Sequence, residues 1–131
     1  MEKEFLSYKE SLELKELGFD EKCGACYYKK FDNEIGYHKV YRDFNFVSLT
    51  VSAPTFSQAF RFFREKYKLH SCIVLPINKI DYAYEIKNIS ENIRQDFLSE
   101  MQSGIIYSSY KEAELECIKK LIEIAKGQNV K

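Results

Sequence analysis

The stretch TFSQAFRFFREKY, residues 55–67, decides the fold of this chain. Thr55 and Gln58 have the spacing of a capping box, in which each side chain hydrogen-bonds a backbone N–H at the start of a helix. One apolar helical face follows, because aromatic residues recur at helical spacing at Phe56, Phe60, Phe63 and Tyr67. The stretch therefore predicts an amphipathic helix that packs on a core.

Two copies of the tetrapeptide SYKE, at residues 7–10 and 109–112, also have capping-box spacing and predict two further helix starts. The first helix is expected to end near Gly18, because glycine tolerates a left-handed stop. The helix that begins at the second SYKE is expected to end before Gly127. Its apolar stripe is formed by Ala113, Cys117, Ile118, Leu121, Ile122 and Ala125. Beyond the tetrapeptide the two segments do not align, so we interpret SYKE as a structural device.

The segments between these helices are rich in β-branched and aromatic residues and predict strands. They are residues 25–31, 37–41, 44–51, 71–77 and 80–86. The last two segments flank Asn78-Lys79, which predicts a hairpin. Residues 90–101 fit either a short helix or an irregular segment. Residues 105–108 fit a last short strand. The expected fold class is α+β, an antiparallel sheet with about three helices packed on one face, in a single domain over residues 1–131.

Composition excludes several classes of protein. A chain of 131 residues can bury a core without disulfides or metals. Its 20 basic and 20 acidic residues cancel, so no global field attracts a polyanion, and nucleic-acid binding would need a local patch. Apolar runs are far shorter than the roughly 20 residues of a membrane-spanning helix, and the N-terminal residues lack a signal-peptide pattern. We expect a cytoplasmic protein that binds no membrane.

Four cysteines raise the question of metal or redox chemistry, since Cys23 and Cys26 form a C-x-x-C motif. A zinc site would need a second pair, but Cys72 and Cys117 are single residues in apolar stretches. A redox motif would open a helix, whereas a strand-like run follows Cys26. We interpret all four as buried, inert thiols, and we predict no metal and no cofactor.

Catalytic motifs are absent from the sequence. It contains no nucleophile elbow, zinc-protease motif, P-loop or dinucleotide-binding motif. His38 and His70 are interpreted as lone and unpaired. Cys72 could meet His70 in space, but we expect the strand to point the two side chains apart. We therefore predict that the protein is not an enzyme and has no catalytic residues.

Three blocks of the chain carry a resemblance. LELKELGFDE (12–21), APTFSQAFRFFREKY (53–67) and YKEAELECIKKLIEI (110–124) resemble a small-protein family common in Bacteroidetes and their phages. The resemblance spans most of the chain and implies a phage or prophage setting, and hence the cytoplasm of a bacterial host, without implying a particular chemistry. The longer aromatic stretch at 31–46 and residues 89–102 depart from the family pattern, so they are where features particular to this member are expected.

Arg61 and Arg64 are the leading candidates for a binding site. They are three residues apart, so their side chains project from neighbouring positions of one helix. Two guanidinium groups suit a phosphate, and a nearby ring suits a base. The proposed strip is completed by Gln58, Tyr67, Lys68 and His70. The alternative is a solvated helix face with weak surface ion pairs to Glu65 or other acids. Our leading hypothesis is a phage-type binding module that sequesters a small anionic, nucleotide-like ligand, such as a host defence signal.

The tyrosines support two other hypotheses. The predicted strands contain Tyr27, Tyr28, Tyr37, Tyr41, Tyr82 and Tyr84, interleaved with Lys29, Lys30, Lys39 and Arg42. An aromatic sheet face would serve a protein that inhibits a host protein, or a homodimer. Basic residues among aromatic ones also suit single-stranded nucleic acid, although the neutral net charge makes this the third choice. The alternative to a binding role is ordinary packing, in which the tyrosine rings of strands are half-buried and their hydroxyl groups are solvated.

Overall fold

The computed structural model describes residues 4–29, 34–46, 49–75, 81–88 and 107–129. Three α-helices and five antiparallel strands lie in these residues, which confirms the predicted α+β class. Contacts divide the chain into two units, Met1–Ala59 and Phe60–Lys131. The expectation of a single domain stays a prediction. The turn at Asn78-Lys79, residues 90–101 and residues 105–106 lie outside the described part of the chain.

The first helix, α1 (Tyr8–Glu16), begins where the first SYKE predicts, but without the predicted cap. Ser7 occupies the N-cap position with an extended backbone, φ −66° and ψ 166°, yet its side chain makes no capping hydrogen bond. Glu10, the other half of the predicted box, is only 4% exposed. The capping-box prediction is wrong here, because the Glu10 side chain is buried instead of returning to the Ser7 backbone.

The end of α1 follows the prediction. Gly18 has φ 94°, a left-handed conformation that glycine adopts without steric cost. The Gly18 N–H donates to the Lys15 carbonyl at 3.0 Å, and the Phe19 N–H donates to the Leu14 carbonyl at 2.9 Å. These two bonds form a Schellman motif, which satisfies carbonyls that the last turn of a helix leaves open. Leu14 and Phe19 are both buried beneath it.

The strands of the first unit form one antiparallel sheet. They are β1 (Cys23–Tyr28), β2 (Glu34–Arg42) and β3 (Thr50–Ser52), in the order β2-β1-β3. Cys26 of β1 pairs with Gly36 of β2 on one side and with Ser52 of β3 on the other. The register of β1 and β2 shifts between Cys23 and Ala25, and α1 packs against β3.

Of the strand predicted over residues 44–51, Thr50 and Val51 lie in β3, but Phe44–Phe46 do not form a strand. A short 3-10 helix, Phe44–Phe46, precedes β3 instead. Asn45 holds it: its N–H donates to Asp43 Oδ1 at 2.9 Å, and its side-chain Oδ1 accepts from the Ser52 N–H at 2.8 Å. The prediction is wrong because Asp and Asn side chains offer the backbone local partners that compete with a strand ladder.

The helix α2 (Phe56–Lys66) forms the capping box that its sequence predicts. The Gln58 N–H donates to Thr55 Oγ1 at 3.2 Å, and the Thr55 N–H donates to Gln58 Oε1 at 3.0 Å. Its apolar stripe is buried at Phe56, Phe63 and Tyr67. Each large side chain that is buried in this way contributes about 1.5–3 kcal/mol to stability.

The second unit contains the predicted hairpin pair and the last helix. β4 (Leu69–Val74) and β5 (Ala83–Asn88) pair antiparallel, with Ser71 opposite Ile86. The helix α3 packs against both strands. Tyr82 and Tyr107 exchange two backbone hydrogen bonds, of 2.8 and 2.7 Å, beside β5. The core of this unit includes Leu69, Tyr84, Ile86, Ile118 and Leu121.

The helix α3 (Tyr110–Asn129) forms half of the box predicted for the second SYKE. Ser109 Oγ accepts from the Glu112 N–H at 3.1 Å. The Glu112 carboxylate accepts instead from the N–H and the hydroxyl of Ser108, at 3.2 and 2.7 Å. The helix continues past Gly127, so the predicted end is wrong. A glycine inside a helix costs only about 1 kcal/mol, and this helix is long enough to absorb that cost.

Candidate functional site

Five basic side chains are exposed within residues 61–70, which run from the second half of α2 to the start of β4. Arg61 and Arg64 lie on the exposed face of α2, as their spacing predicts, while Phe62 and Phe63 between them are buried. Within residues 61–70 the sole acidic residue is Glu65. We call the exposed set the basic surface; it consists of Arg61, Arg64, Lys66, Lys68 and His70. Lys66 was not singled out from the sequence.

Gln58 is occupied by backbone contacts. Its Oε1 accepts from the Thr55 N–H, and its Nε2 donates to the Lys22 carbonyl at 2.9 Å. Both ends of the amide therefore hold the chain at the start of α2. The predicted binding role of Gln58 stays a prediction, but a ligand would have to displace one of these bonds.

Tyr67 is buried, with 6% of its surface exposed. Its ring packs against the rings of Phe62 and Phe63, at centroid distances of 5.8 and 6.1 Å. The Lys66 ammonium lies 5.6 Å from the centroid of the Phe62 ring and 5.5 Å from that of the Tyr67 ring, which is cation–π distance. Tyr67 thus belongs to the apolar face of α2, and a base would need another ring on which to stack.

Lys68 joins α2 to β4 in an uncommon backbone conformation. Its φ is 57°, the left-handed region in which a residue with a side chain costs roughly 1–2 kcal/mol. The Tyr67 N–H still donates to the Phe63 carbonyl at 3.1 Å, so the helical bonding reaches Tyr67 and the chain turns immediately after it. The turn leaves Lys68 and His70 exposed, on either side of the buried Leu69.

His70 lies in an open depression of about 240 Å³ on the β4–β5 hairpin. The depression is lined by His70, Ser71, Cys72, Glu85 and Lys87. His70 pairs in register with Lys87, and Cys72 pairs with Glu85. We call this group the hairpin depression. His70 and Cys72 are two residues apart in β4, so they share a face, and the expectation that they point apart is wrong.

The Cys72 thiol is exposed, which corrects the prediction that all four thiols are buried. It donates to Glu85 Oε2 at 3.5 Å. Burial of its sulfur raises the pKa of Cys72, and the Glu85 carboxylate raises it further, while Lys87 lowers it. A thiol with a raised pKa is a poor nucleophile at neutral pH. The sequence missed its exposure because Cys72 lies in an apolar run at the edge of a short hairpin.

His38 has two partners, so the interpretation of a lone histidine is wrong. Its Nε2 lies 2.7 Å from the Tyr28 hydroxyl and 3.5 Å from Cys26 Sγ. The imidazole ring also lies 4.6 Å from the Phe44 ring, measured between centroids. Burial raises the pKa of both Cys26 and Tyr28. Because Cys26 is fully buried and its thiol neutral, we interpret this cluster as packing of β1 on β2.

The C-x-x-C motif is built into a strand. Cys23 and Cys26 are three residues apart in β1, which places their Cα atoms roughly 10 Å apart. A disulfide spans at most about 7 Å between Cα atoms, so these two thiols cannot pair while β1 is formed. Burial raises the pKa of Cys23 to about 12. No group of three potential metal ligands occurs in the described ranges.

The tyrosines of the sheet divide into engaged and exposed residues. Tyr27 donates its hydroxyl to the Leu6 carbonyl at 2.5 Å, and Tyr28 contacts His38. Tyr84 is buried in the second unit. Tyr37 and Tyr41 on β2 are 44% and 63% exposed. The predicted aromatic face is therefore reduced, in the described part of the first sheet, to these two residues of β2.

Comparison with known proteins identifies no relative of this chain. No protein-family model, curated protein or solved structure matches the chain. The resemblance to the small-protein family of Bacteroidetes and their phages stays a prediction. Over the residues that the structure describes, no helix is both long and apolar enough to cross a membrane. The basic surface, the hairpin depression and the exposed tyrosines of β2 are the candidate binding features of the described residues.

Proposed function

We propose that this protein is a non-enzymatic binding module that captures a small anionic, nucleotide-like ligand on the basic surface. The observation that carries this proposal is the exposure of five basic side chains within residues 61–70, against one acidic residue. The net charge of the whole chain is zero, so this local excess is a property of the surface and not of the composition.

Arginine suits the proposed ligand. A guanidinium group donates two parallel hydrogen bonds to a phosphate, and Arg61 and Arg64 are placed one helical turn apart. Two such forks hold a phosphate or a diphosphate from one side. The burial of Tyr67 changes the original hypothesis, because the ring that would stack a base is not available. We therefore place the phosphate contact on the basic surface, which includes His70 as well as the two arginines, and the base against other residues.

The absence of an enzymatic role is part of the proposal. Its support is that the two thiols nearest a histidine both have a raised pKa: Cys26 through burial, and Cys72 through burial and Glu85. A catalytic cysteine needs the opposite shift, toward the thiolate. If the resemblance to the phage family holds, the ligand is a nucleotide signal of the host's defence, and capture lowers its free concentration in the host cytoplasm.

The test is a titration of the purified protein with mononucleotides, cyclic nucleotides and dinucleotides, followed by calorimetry and thermal unfolding. A ligand that binds the native state raises the unfolding midpoint by mass action. Replacing Arg61 or Arg64 with Ala is expected to weaken binding about ten- to a hundredfold, the effect of losing a charge-assisted hydrogen bond of roughly 1.5–3 kcal/mol. Arg→Lys is also expected to weaken it, because an ammonium lacks the fork.

The matched control is the double variant Lys119→Ala, Lys126→Ala. It removes two positive charges from exposed positions of α3, as Arg61→Ala, Arg64→Ala removes two from α2. Binding should survive in the control and be lost in the arginine variant, and it should weaken as salt rises. Equal binding by both variants would remove the basic surface from consideration.

A second candidate function rests on Tyr37 and Tyr41. Large aromatic side chains that are exposed on one strand are typical of protein interfaces, where tyrosine is enriched. We propose, as the alternative, that β2 binds a host protein or a second copy of this chain through these rings. Arg42, which is exposed at the end of β2, would add a polar contact at the rim.

This alternative is tested with the double variant Tyr37→Ser, Tyr41→Ser. Size-exclusion chromatography with light scattering measures self-association, and cross-linking in the host measures a partner. Loss of a dimer or of one defined cross-link in the variant, but not in the arginine variant, would favour the alternative. If single-stranded oligonucleotides bind the parent and not the tyrosine variant, the rings stack bases instead. Unchanged behaviour in all three assays rules out β2 as the binding surface.

A further inference from the structure

The hairpin depression has a cationic end and an acidic end. His70 and Lys87 are opposite each other in the ladder, and Cys72 and Glu85 are the next pair on the same face. His70, Cys72 and Lys87 are exposed, and Glu85 is half-buried. A ligand that fills the depression thus meets positive charge on one side and a carboxylate on the other. Surfaces that bind simple anions do not need the carboxylate.

Resting on the proposed function, we infer that the hairpin depression selects a nucleotide whose base carries an amino group. The phosphate lies toward His70, which also belongs to the basic surface, and toward Lys87, and the exocyclic amine donates to Glu85. The ligand class is an amino-bearing mononucleotide, such as one with a cytosine or an adenine base. The base contact is thus at Glu85, and the arginines of α2 do not provide one.

Glu85 can accept a further donor. The Cys72 thiol donates to Oε2 at 3.5 Å, and a thiol is a weak donor. The second oxygen, Oε1, has no hydrogen bond from any residue in the described ranges. A base amine would donate to this ionised oxygen, which is the stronger kind of hydrogen bond. A base with a carbonyl at the same position would instead place one acceptor against another and be rejected.

The size of the depression limits the ligand. Pockets that bury a drug-sized molecule enclose roughly 300–1,000 Å³, and this one has about 240 Å³. It is open to solvent on one side. That volume suits a single base and its sugar phosphate, and a second nucleotide would have to extend along the basic surface.

The decisive pair of probes is CMP and UMP, which differ in an amino group and a carbonyl at one ring position. Calorimetry on the full chain is expected to show CMP bound at least tenfold more tightly than UMP. Glu85→Gln should abolish this preference, because a glutamine amide can turn its N–H₂ toward the carbonyl of UMP. Cys72→Ser should keep the preference, because it leaves the carboxylate in place.

A third variant tests the other end of the depression. Lys87→Ala is expected to weaken CMP binding about tenfold and to leave the binding of cytidine, which lacks the phosphate, unchanged. Lys119→Ala is the control for loss of one exposed charge and should bind like the parent. A thermal unfolding curve like that of the parent shows for each variant that the fold is intact.

The outcomes separate this inference from the function on which it rests. If CMP and UMP bind equally, and both depend on Arg61 and Arg64 but not on Glu85 or Lys87, the base contact is wrong and the proposed function stands. If no nucleotide binds at millimolar concentration, both the base contact and the proposed function are wrong. A preference for CMP that Glu85→Gln removes supports both.

Discussion

The ring of Tyr28 occupies the space that a side chain at Gly36 would need. A Cβ at position 36 would lie 2.5 Å from Cε2 of Tyr28, closer than real Cβ contacts come. The Tyr28 hydroxyl is at the same time 2.7 Å from Nε2 of His38. The glycine thus lets an aromatic side chain of β1 cross onto β2 and reach the histidine two residues further on.

Gly36→Ala should therefore destabilise the protein by about 1–3 kcal/mol, the usual cost of overpacking. The ring can avoid the new methyl group only by leaving His38. The control is Gly127→Ala, since a Cβ there meets no atom within 4 Å and the position is helical. It should stabilise by about 0.5–1 kcal/mol. Chemical denaturation measures both, and a Gly36→Ala variant as stable as the parent would contradict the packing described.

The two SYKE segments should respond differently to the same substitution. Ser109→Ala removes the hydrogen bond from the Glu112 N–H and should cost about 1 kcal/mol. Ser7→Ala removes no capping hydrogen bond and should cost clearly less. Chemical denaturation of the two variants gives the comparison. Equal losses would show that Ser7 caps α1 in solution.

One thiol in four should react in the native protein. Cys72 is exposed, while Cys23, Cys26 and Cys117 are buried. A colorimetric thiol reagent should therefore modify one equivalent before unfolding and four after it, and Cys72→Ser should remove the first. Glu85→Gln should speed the reaction, because the carboxylate raises the pKa of Cys72. Early modification of more than one thiol would contradict the burial of the other three.

Stability should fall at alkaline pH through Cys23. Burial raises its pKa from 9.0 to about 12, so the folded state favours the neutral thiol. Its contribution is complete below pH 9 and is lost as the pH rises toward 12. The loss is on the order of 1 kcal/mol at pH 10. Denaturation at pH 8 and pH 10 should show that Cys23→Ala loses less stability than the parent. Parallel losses would assign the effect to other groups.

Local signals in the sequence predicted the helices well. The box at Thr55 and Gln58 and the stop at Gly18 depend on contacts within a few residues, and both form as expected. The capping box predicted for the first SYKE does not form, because the Glu10 side chain is buried and does not bond to the Ser7 backbone. The strand predicted over residues 44–46 does not form, because Asn45 bonds locally to Asp43 and also contacts Phe19 and Ser52. Phe19 and Ser52 are 26 and 7 residues away, and composition does not reveal such contacts.

The candidate site was only partly predictable. The exposure of Arg61 and Arg64 follows from helical spacing, but Tyr67 lies on the apolar stripe and its burial could have been read from the same spacing. The hairpin depression needs the register of β4 and β5, which brings Glu85 and Lys87 opposite Cys72 and His70. Register depends on the turn and on packing, so one strand read alone does not give it.

The left-handed backbone of Lys68 has a consequence for engineering. Glycine would relieve a strain of roughly 1–2 kcal/mol there, less about 0.4–1 kcal/mol for the added freedom of the unfolded chain. Lys68→Gly is therefore expected to be neutral or to stabilise by up to about 1.5 kcal/mol, while deleting one charge from the basic surface. A lysine at this position therefore keeps an exposed ammonium group on the basic surface at some cost in stability. A substitution that stabilises the fold at this position would therefore remove one of the five basic groups of the basic surface.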